Sequence, residues 1–399
     1  MASSDSSTVV TATVSAGATL VGTATATAAN GVATFTDLGI SGTAGTAYTI
    51  TYASGSLTSA TQSVTPTAGT ASKLVVTRAS VGTASGAAFT TQPQIGVTDV
   101  AGNALTSYAA STVTATVSTG GTLVGTTTAT TSSGVATFTN LGISGTAGTT
   151  YTITYSLGAL TAATASVTVT PGTVTRLAIT GSATQIAGQA QNLTITALDA
   201  AGNTATGYTG NKSLTFSGAS SSPSGQQPSV KSSTGTAVNF GTGTTITFAN
   251  GVAAVSAGSN GAMSLYRAQS ATISVVDSSS YTSSGSGDLS VTVSAGDLTR
   301  FTLVADDYQP IPSASVSLTA QTTDAYSNVR PDSGVLVDWS KNVLGGTLTA
   351  NSTTNASGIA VATLTAPSTG ATALTVTASA NSGTALGTSS TITTRTACS

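Results

Sequence analysis

GVATFTNLGISGTAGTTYTITY, residues 134–155, has a near-copy at residues 31–52, GVATFTDLGISGTAGTAYTITY. Two positions differ, Asp37 against Asn140 and Ala47 against Thr150. Looser echoes begin at Gly251 (GVAAVSAG) and Gly358 (GIAVATLT). A segment that returns along a chain marks a repeat array, and the repeat unit governs how the rest is read. Within the segment the period is two. Tyr151, Ile153 and Tyr155 alternate with Thr152 and Thr154, which puts the apolar side chains on one face of an extended strand. Val113, Ala115 and Val117 alternate with Thr114 and Thr116 in the same way. Such runs, punctuated by Gly, Ser and Asn turns, predict antiparallel β-sandwiches.

Outward from this segment the repeats differ in completeness. A constant offset of 103 links Val10 to Val113 and Tyr52 to Tyr155. The unit at 67–171 carries two earlier pieces, ASKLVVTRAS and FTTQPQIGVTDVAGNAL, that the unit at 1–66 lacks. The first unit is therefore short of roughly 40 residues, room for two or more strands. A third unit, 172–295, opens with TRLAIT and carries an insertion at about 217–243. Its Ser/Pro/Gly/Gln stretch at 217–228 reads as a loop, and 237–240 as an added strand. The fourth unit, 296–399, has 335–339 (VLVDW) as its expected central strand, ending in the chain's single Trp, Trp339. Short joins between units predict stiff end-to-end stacking.

Composition bounds the chemistry. Of 399 residues, 39% are hydrophobic, 5% aromatic and 6% charged, where roughly 25% charged is usual. All 12 acids are Asp, and there is no Glu and no His. A Ser-His-Asp triad cannot be built, and common general bases and metal clusters are missing, so no enzymatic activity is expected. A net charge of −2 leaves no basic patch to neutralise phosphates, which argues against nucleic-acid partners. No apolar run is long enough for a membrane span. The first residues lack the basic and apolar regions of a secretory signal, yet the neutral, hydroxyl-rich composition suits an extracellular or cell-surface setting, or a virion. The lone Cys398 reads as an incidental exposed thiol, with cross-linking or attachment as the alternative.

The repeats resemble bacterial immunoglobulin-like domains of the invasin and intimin type (Big domains). The resemblance rests on a strand ending in D-x-x-G-N (Asp99 to Asn103, Asp199 to Asn203, and Asp324 to Asn328 with Ser327 in place of Gly). It rests also on G-G-T-L at residues 120–123 and 345–348, and on the G-V-A-T-F segment leading to A-G-T-x-Y-T-I-T. It implies an all-β chain of tandem immunoglobulin-like β-sandwich domains in a linear array, serving as an extracellular rod or adhesion module. By that likeness Tyr48 and Tyr151 are corner residues that close neighbouring strands, with Ile50 and Ile153 in the core.

Calcium is the one ion the side chains suit, since it takes carboxylates and carbonyls. Asp297, Asp306 and Asp307 are the candidates, with the D-x-x-G-N residues behind them. The competing reading of D-x-x-G-N is a turn, in which Asp accepts nearby backbone N–H groups, and it is preferred. No cofactor is otherwise expected. The partners expected are neighbouring subunits or domains through self-association, with a glycan or host surface as the recognition alternative and a phage fibre or decoration role as the third. The incomplete first unit leaves strand edges that another subunit can complete by strand addition. The competing reading is a fragment whose missing strands lie upstream of Met1.

Overall fold

The computed structural model describes residues 4–396 and falls into two compact units. Cys398 lies outside the described residues. Strands make up 49% of the chain, more than twice the usual share. The fold is all-β, built of tandem immunoglobulin-like sandwiches.

The first unit comprises Met1–Gly172 with Ala200–Asn203. Its first repeat supplies β1 (Val9–Val14), β2 (Ala18–Val21), β3 (Thr25–Ala29), β4 (Val32–Ala33), β5 (Gly39–Gly42), β6 (Tyr48–Ala53) and β7 (Ala60–Val64). The second supplies β8 (Lys73–Arg78), β9 (Ala87–Ala88), β10 (Gln94–Thr98), β11 (Thr112–Val117), β12 (Thr122–Val124), β13 (Thr128–Ser132), β14 (Val135–Thr137), β15 (Gly142–Ser144), β16 (Thr150–Ser156) and β17 (Ala163–Thr168). In the first repeat the sheets run β4-β3-β1-β6-β7 and β2-β5. In the second they run β17-β16-β11-β13-β14-β10-β8 and β12-β15-β9. The seven strands β11–β17 repeat the pairing of β1–β7, and β8–β10 are the addition.

The opening sequence segment now has a physical layout. Ser133 and Gly134, both with positive φ (49° and 73°), form the two-residue turn that joins β13 to β14. Such turns match the twist of the strands they connect. A Cβ on Gly134 would run into the Leu105 carbonyl, so glycine is required on two counts. The strand β16 alternates as read, with Tyr151, Ile153 and Tyr155 buried and Thr152 exposed. Its register against β11 sets Ala115 opposite Tyr155 and Val117 opposite Ile153. The core beneath includes Leu74, Phe89, Ile95, Val97, Val113, Phe138 and Leu141.

The second unit comprises Thr173–Asp199 and Thr204–Ser399 and holds two separate cores. One gathers Leu177, Ile195, Leu214, Phe216, Ile246 and Ile273. The other gathers Phe301, Val316, Leu318, Val337, Trp339 and Val376. The insertion is more than a loop with one strand. Ser229–Lys231 and Ala237–Asn239 form a hairpin whose first strand pairs with Ala262–Ser264. Val230 is fully buried, so the insertion is stitched into the sandwich it interrupts. The strand bearing Trp339, Leu336–Lys341, is not central. It lies one in from the sheet edge, between Asn351–Thr353 and Val376–Ala380. Hydrophobic alternation marks a strand as half-buried but carries no information on its place in the sheet order.

Candidate functional site

The D-x-x-G-N residues form a closed turn. Asp99 N–H donates to the Asn103 carbonyl (3.0 Å), Gly102 N–H to the Asp99 carbonyl (3.1 Å), and Asn103 N–H to Asp99 Oδ1 (2.8 Å). Asp99 Oδ2 accepts from Asn103 Nδ2 (2.9 Å) and from the Gly69 N–H (2.8 Å), a residue between the two repeats. Gly102 takes a φ of 93°, the left-handed conformation the turn needs. The backbone N–H of Gly69, then the Asn103 side chain and the nearby backbone N–H groups, hold the Asp99 carboxyl down at about 2 against the burial that opposes them.

The turn also reaches back into the first repeat. Asn103 Nδ2 donates to the Gly42 carbonyl (3.1 Å), and Asn103 Oδ1 accepts the Ala44 N–H (2.9 Å). One primary amide thus bridges a backbone acceptor and a backbone donor in the G-T-A-G loop after β5. That loop is presented by the tyrosine. Tyr48 Oη accepts the Thr43 N–H at 3.0 Å, and Tyr151 Oη accepts the Thr146 N–H at 3.0 Å. A Cβ on Gly42 would come within 2.8 Å of the Tyr48 ring. Tyr48 and Tyr151 are 5% and 4% exposed, and Ile50 and Ile153 lie in the interior beside them. The two repeated motifs are therefore the two halves of one joint.

The second unit repeats the Asp and Asn of the joint at Asp324 and Asn328. Asp324 Oδ1 accepts the Asn328 N–H (2.9 Å) and the Tyr326 N–H (2.8 Å), and Oδ2 accepts Asn328 Nδ2 and the Gly296 N–H, both at 2.8 Å. Asn328 Nδ2 donates to the Tyr266 carbonyl (2.8 Å), and its Oδ1 accepts the Ala268 N–H (2.8 Å). Ser327 takes the left-handed conformation (φ 64°) where the first unit has Gly102. The receiving loop here has no corner tyrosine. Instead Tyr266 packs edge-on against Tyr326, centroids 5.0 Å apart, and Tyr326 rests on the third repeat's core. The Arg330 guanidinium adds a bond to the Gly296 carbonyl and pairs with Asp332 at 2.6 Å. Asn203, which belongs to the first unit, accepts the Ala147 N–H (2.8 Å) and donates to the Gly145 carbonyl (2.9 Å). Asp199, in the second unit, is buried and engaged.

Two of the three candidate ion ligands have local backbone partners. Asp306 Oδ1 accepts the Ser317 N–H (2.9 Å) and Asp307 Oδ1 the Gln309 N–H (2.7 Å), each ordering local backbone. Asp297 lies in the field of Arg330. Among the described residues no group of three or more acidic, His or Cys side chains is placed to hold a metal. At Asp99 and Asp324 the carboxylates face N–H donors, whose positive ends would oppose a cation. Trp339 is a core residue, and its Nε1 donates to Ser352 Oγ at 2.9 Å.

Two buried polar features were not found from sequence. Tyr208 Oη donates to Asp277 Oδ2 at 2.6 Å inside the third repeat, and burial, then Asp277, pushes the phenol upward. The matching positions of Tyr108 and Tyr208 in consecutive repeats were the available signal. Tyr155 Oη is buried without a partner among the described residues, and burial pushes its phenol up to about 12.

The first repeat shows a second kind of site. Val113, Ala136, Phe138, Leu141, Ile143 and Tyr155 are at most 1% exposed in the second repeat. Their counterparts Val10, Ala33, Phe35, Leu38, Ile40 and Tyr52 are only half-buried. Among the described residues no strand takes the edges of β4 and β5 that correspond to those taken by β10 and β9.

No family model matches the chain, and no curated protein matches it. Among solved structures, the Escherichia coli adhesin FdeC is similar at 18% identity over 82% of this chain and 99% of that chain, with a TM-score of 0.29. The D00-D0 domain of intimin is similar at 14% identity over 55% and 98% of the respective chains, with a TM-score of 0.30. Domains 5-6 of the S-layer protein SbsC follow at 18% identity over 56% and 99%, with a TM-score of 0.20. Glycosyl hydrolases of family 2 are also among the similar chains. At these TM-scores no function is transferred from any of them. No helix among the described residues is long and apolar enough to cross a membrane.

Proposed function

We propose that the chain is a non-enzymatic extracellular structural protein, a stalk or coat element whose sandwiches are held in series by Asp–Asn turns. The observation that carries this reading is the recurrence of one joint. In each unit the same Asp binds the inter-repeat backbone, and the same Asn amide bridges a carbonyl and an N–H of the preceding repeat. A protein selected for a ligand site has no reason to repeat a joint at each boundary, whereas one selected to hold repeats in fixed succession does. The neutral Ser/Thr-rich surface and the absence of His and Glu fit that use. The glycan-binding alternative would use the third repeat's insertion or a terminal domain; within the insertion, residues 229–231 pair with Ala262–Ser264 and Val230 fills a core.

Antibody labelling of intact producing cells, or of purified particles, tests the placement. Label on intact surfaces supports the reading, and label seen only after permeabilisation overturns it.

A further inference from the structure

We propose that the insertion of the third repeat is a strap that latches the fourth repeat, through a turn at residues 222–226 set against the turn at residues 324–328. This deepens the structural reading above and rests on it for the joint that the strap reinforces.

The insertion is a lengthened connection. Residues 218–242 join Gly210–Ser217 to Gly243–Phe248, where in the first repeat residues 15–24 join β1 to β3. Its hairpin is built into the third repeat's own sheet. The stretch before the hairpin forms no strand, and it carries the sequence SPSGQ at residues 222–226.

That sequence folds into the same turn as D-x-x-G-N. Ser222 N–H donates to the Gln226 carbonyl (2.9 Å), Gly225 N–H to the Ser222 carbonyl (2.9 Å), and Gln226 N–H to Ser222 Oγ (3.0 Å). The matching bonds at Asp99–Asn103 are 3.0, 3.1 and 2.8 Å. Gly225 takes a φ of 89° where Gly102 takes 93°. A serine hydroxyl does here what the Asp carboxylate does there. Ser222 is 4% exposed, so the turn is fixed at its base.

The two turns meet at their third residues. Ser224 N–H donates to the Tyr326 carbonyl at 3.2 Å. The Tyr326 ring is a plug: it packs on Tyr266 and on the third repeat's core, and it covers Gly188, where a Cβ would collide with the phenol. The strap also touches the loop that receives Asn328, since the Ser221 carbonyl accepts Arg267 Nη1 at 3.5 Å and Ala268 N–H bonds Asn328 Oδ1. At the joint between the first two repeats, an exposed Ala101 stands where Tyr326 stands, and the shorter 15–24 connection stands where the strap stands. A joint gripped by one amide can pivot about it. A second grip from another element removes that freedom.

The test replaces residues 220–226 of the full chain with a Gly/Ser linker of equal length and follows residue-resolved amide hydrogen exchange. Exchange at Ala268, Gly296 and Asn328 should speed up roughly 5–10-fold, the worth of about one hydrogen bond. Exchange across Ser229–Lys231 and the Trp339 fluorescence should stay as they are, showing both sandwiches intact, and Ala44 and Gly69 at the first joint should not change. In Tyr326→Ala, which leaves the insertion whole, Ser224 exchange should rise by a similar factor while Gly225 and Gln226 keep their protection. Unchanged exchange at Ala268, Gly296 and Asn328 after the replacement overturns the proposal. If the replacement also loosens Ser229–Lys231, Tyr326→Ala decides, and unchanged exchange at Ser224 in that variant overturns it. Surface labelling of cells is indifferent to these outcomes, so the strap and the structural reading can fail separately.

Discussion

Replacing Asn328 by Ala removes three hydrogen bonds with one truncation. Nδ2 leaves the Tyr266 carbonyl and Asp324 Oδ2, and Oδ1 leaves the Ala268 N–H. Asn328 is 3% exposed, so the truncated site cannot simply be refilled by bulk water. The two neutral bonds are worth about 0.5–1.5 kcal/mol each, and the one to the carboxylate about 1.5–3. Partial hydration of the loop at Tyr266 and Ala268, which are half-buried, offsets some of this. We expect a loss of about 2–4 kcal/mol, a fall in melting temperature of roughly 10–20 °C for a repeat of this size. Trp339, the chain's single Trp and a core residue of the fourth repeat, reports that transition by fluorescence. Amide exchange at Ala268 and Gly296 should accelerate with it. If Asn328→Ala melts within about 0.5 kcal/mol of the parent, as an uninvolved surface change would, the Asn is ornament on a local turn and the joint does not stabilise the chain.

Tyr155→Phe removes a buried hydroxyl without a partner and should stabilise the second repeat by about 1 kcal/mol; Tyr52→Phe, whose Oη bonds Gln62 Oε1 at 3.1 Å on an open face, should be neutral by the same denaturation assay. Gly134→Ala, which needs a positive φ and collides with the Leu105 carbonyl, should cost about 1–3 kcal/mol in thermal denaturation. Acid should loosen the first joint. Asp99 sits at about 2 when folded against an ordinary 3.8, so its stabilisation is complete above about pH 4 and is lost as pH falls through 2. Exchange at the Gly69 amide against pH reads this, and a flat profile from pH 5 to 2 contradicts it.

The strands were legible because burial on one face writes a period of two into residues such as Tyr151, Ile153 and Tyr155. The turn at Asp99 was legible for a similar reason, since Asp, Gly and Asn each have a local backbone role there. What the turn does to its neighbour was not. A hydrogen bond from Asn103 to Gly42 spans 61 positions, and no local rule connects them. The signal was combinatorial: a G-T-A-G loop, at residues 42–45 and 145–148, stands in the repeat before each of the D-x-x-G-N turns at Asp99 and Asp199. Where the loop changes to Tyr266-Arg267-Ala268, the turn changes with it to carry Tyr326, and an aromatic pair replaces the corner. Strand order escaped for the same reason that Trp339 was placed too centrally: alternation reports depth, not neighbours.

The central claim is that Asn103 and Asn328 hold consecutive repeats together through backbone amides of the preceding loop. Residue-resolved hydrogen exchange of Ala44 and Ala268 in the unaltered chain tests it most directly. Both N–H groups sit in loops outside any strand and are bonded to Asn side chains alone among the described contacts. The account predicts strong protection at both, lost at Ala44 in Asn103→Ala and at Ala268 in Asn328→Ala. Exchange at open-loop rates in the unaltered chain would contradict it.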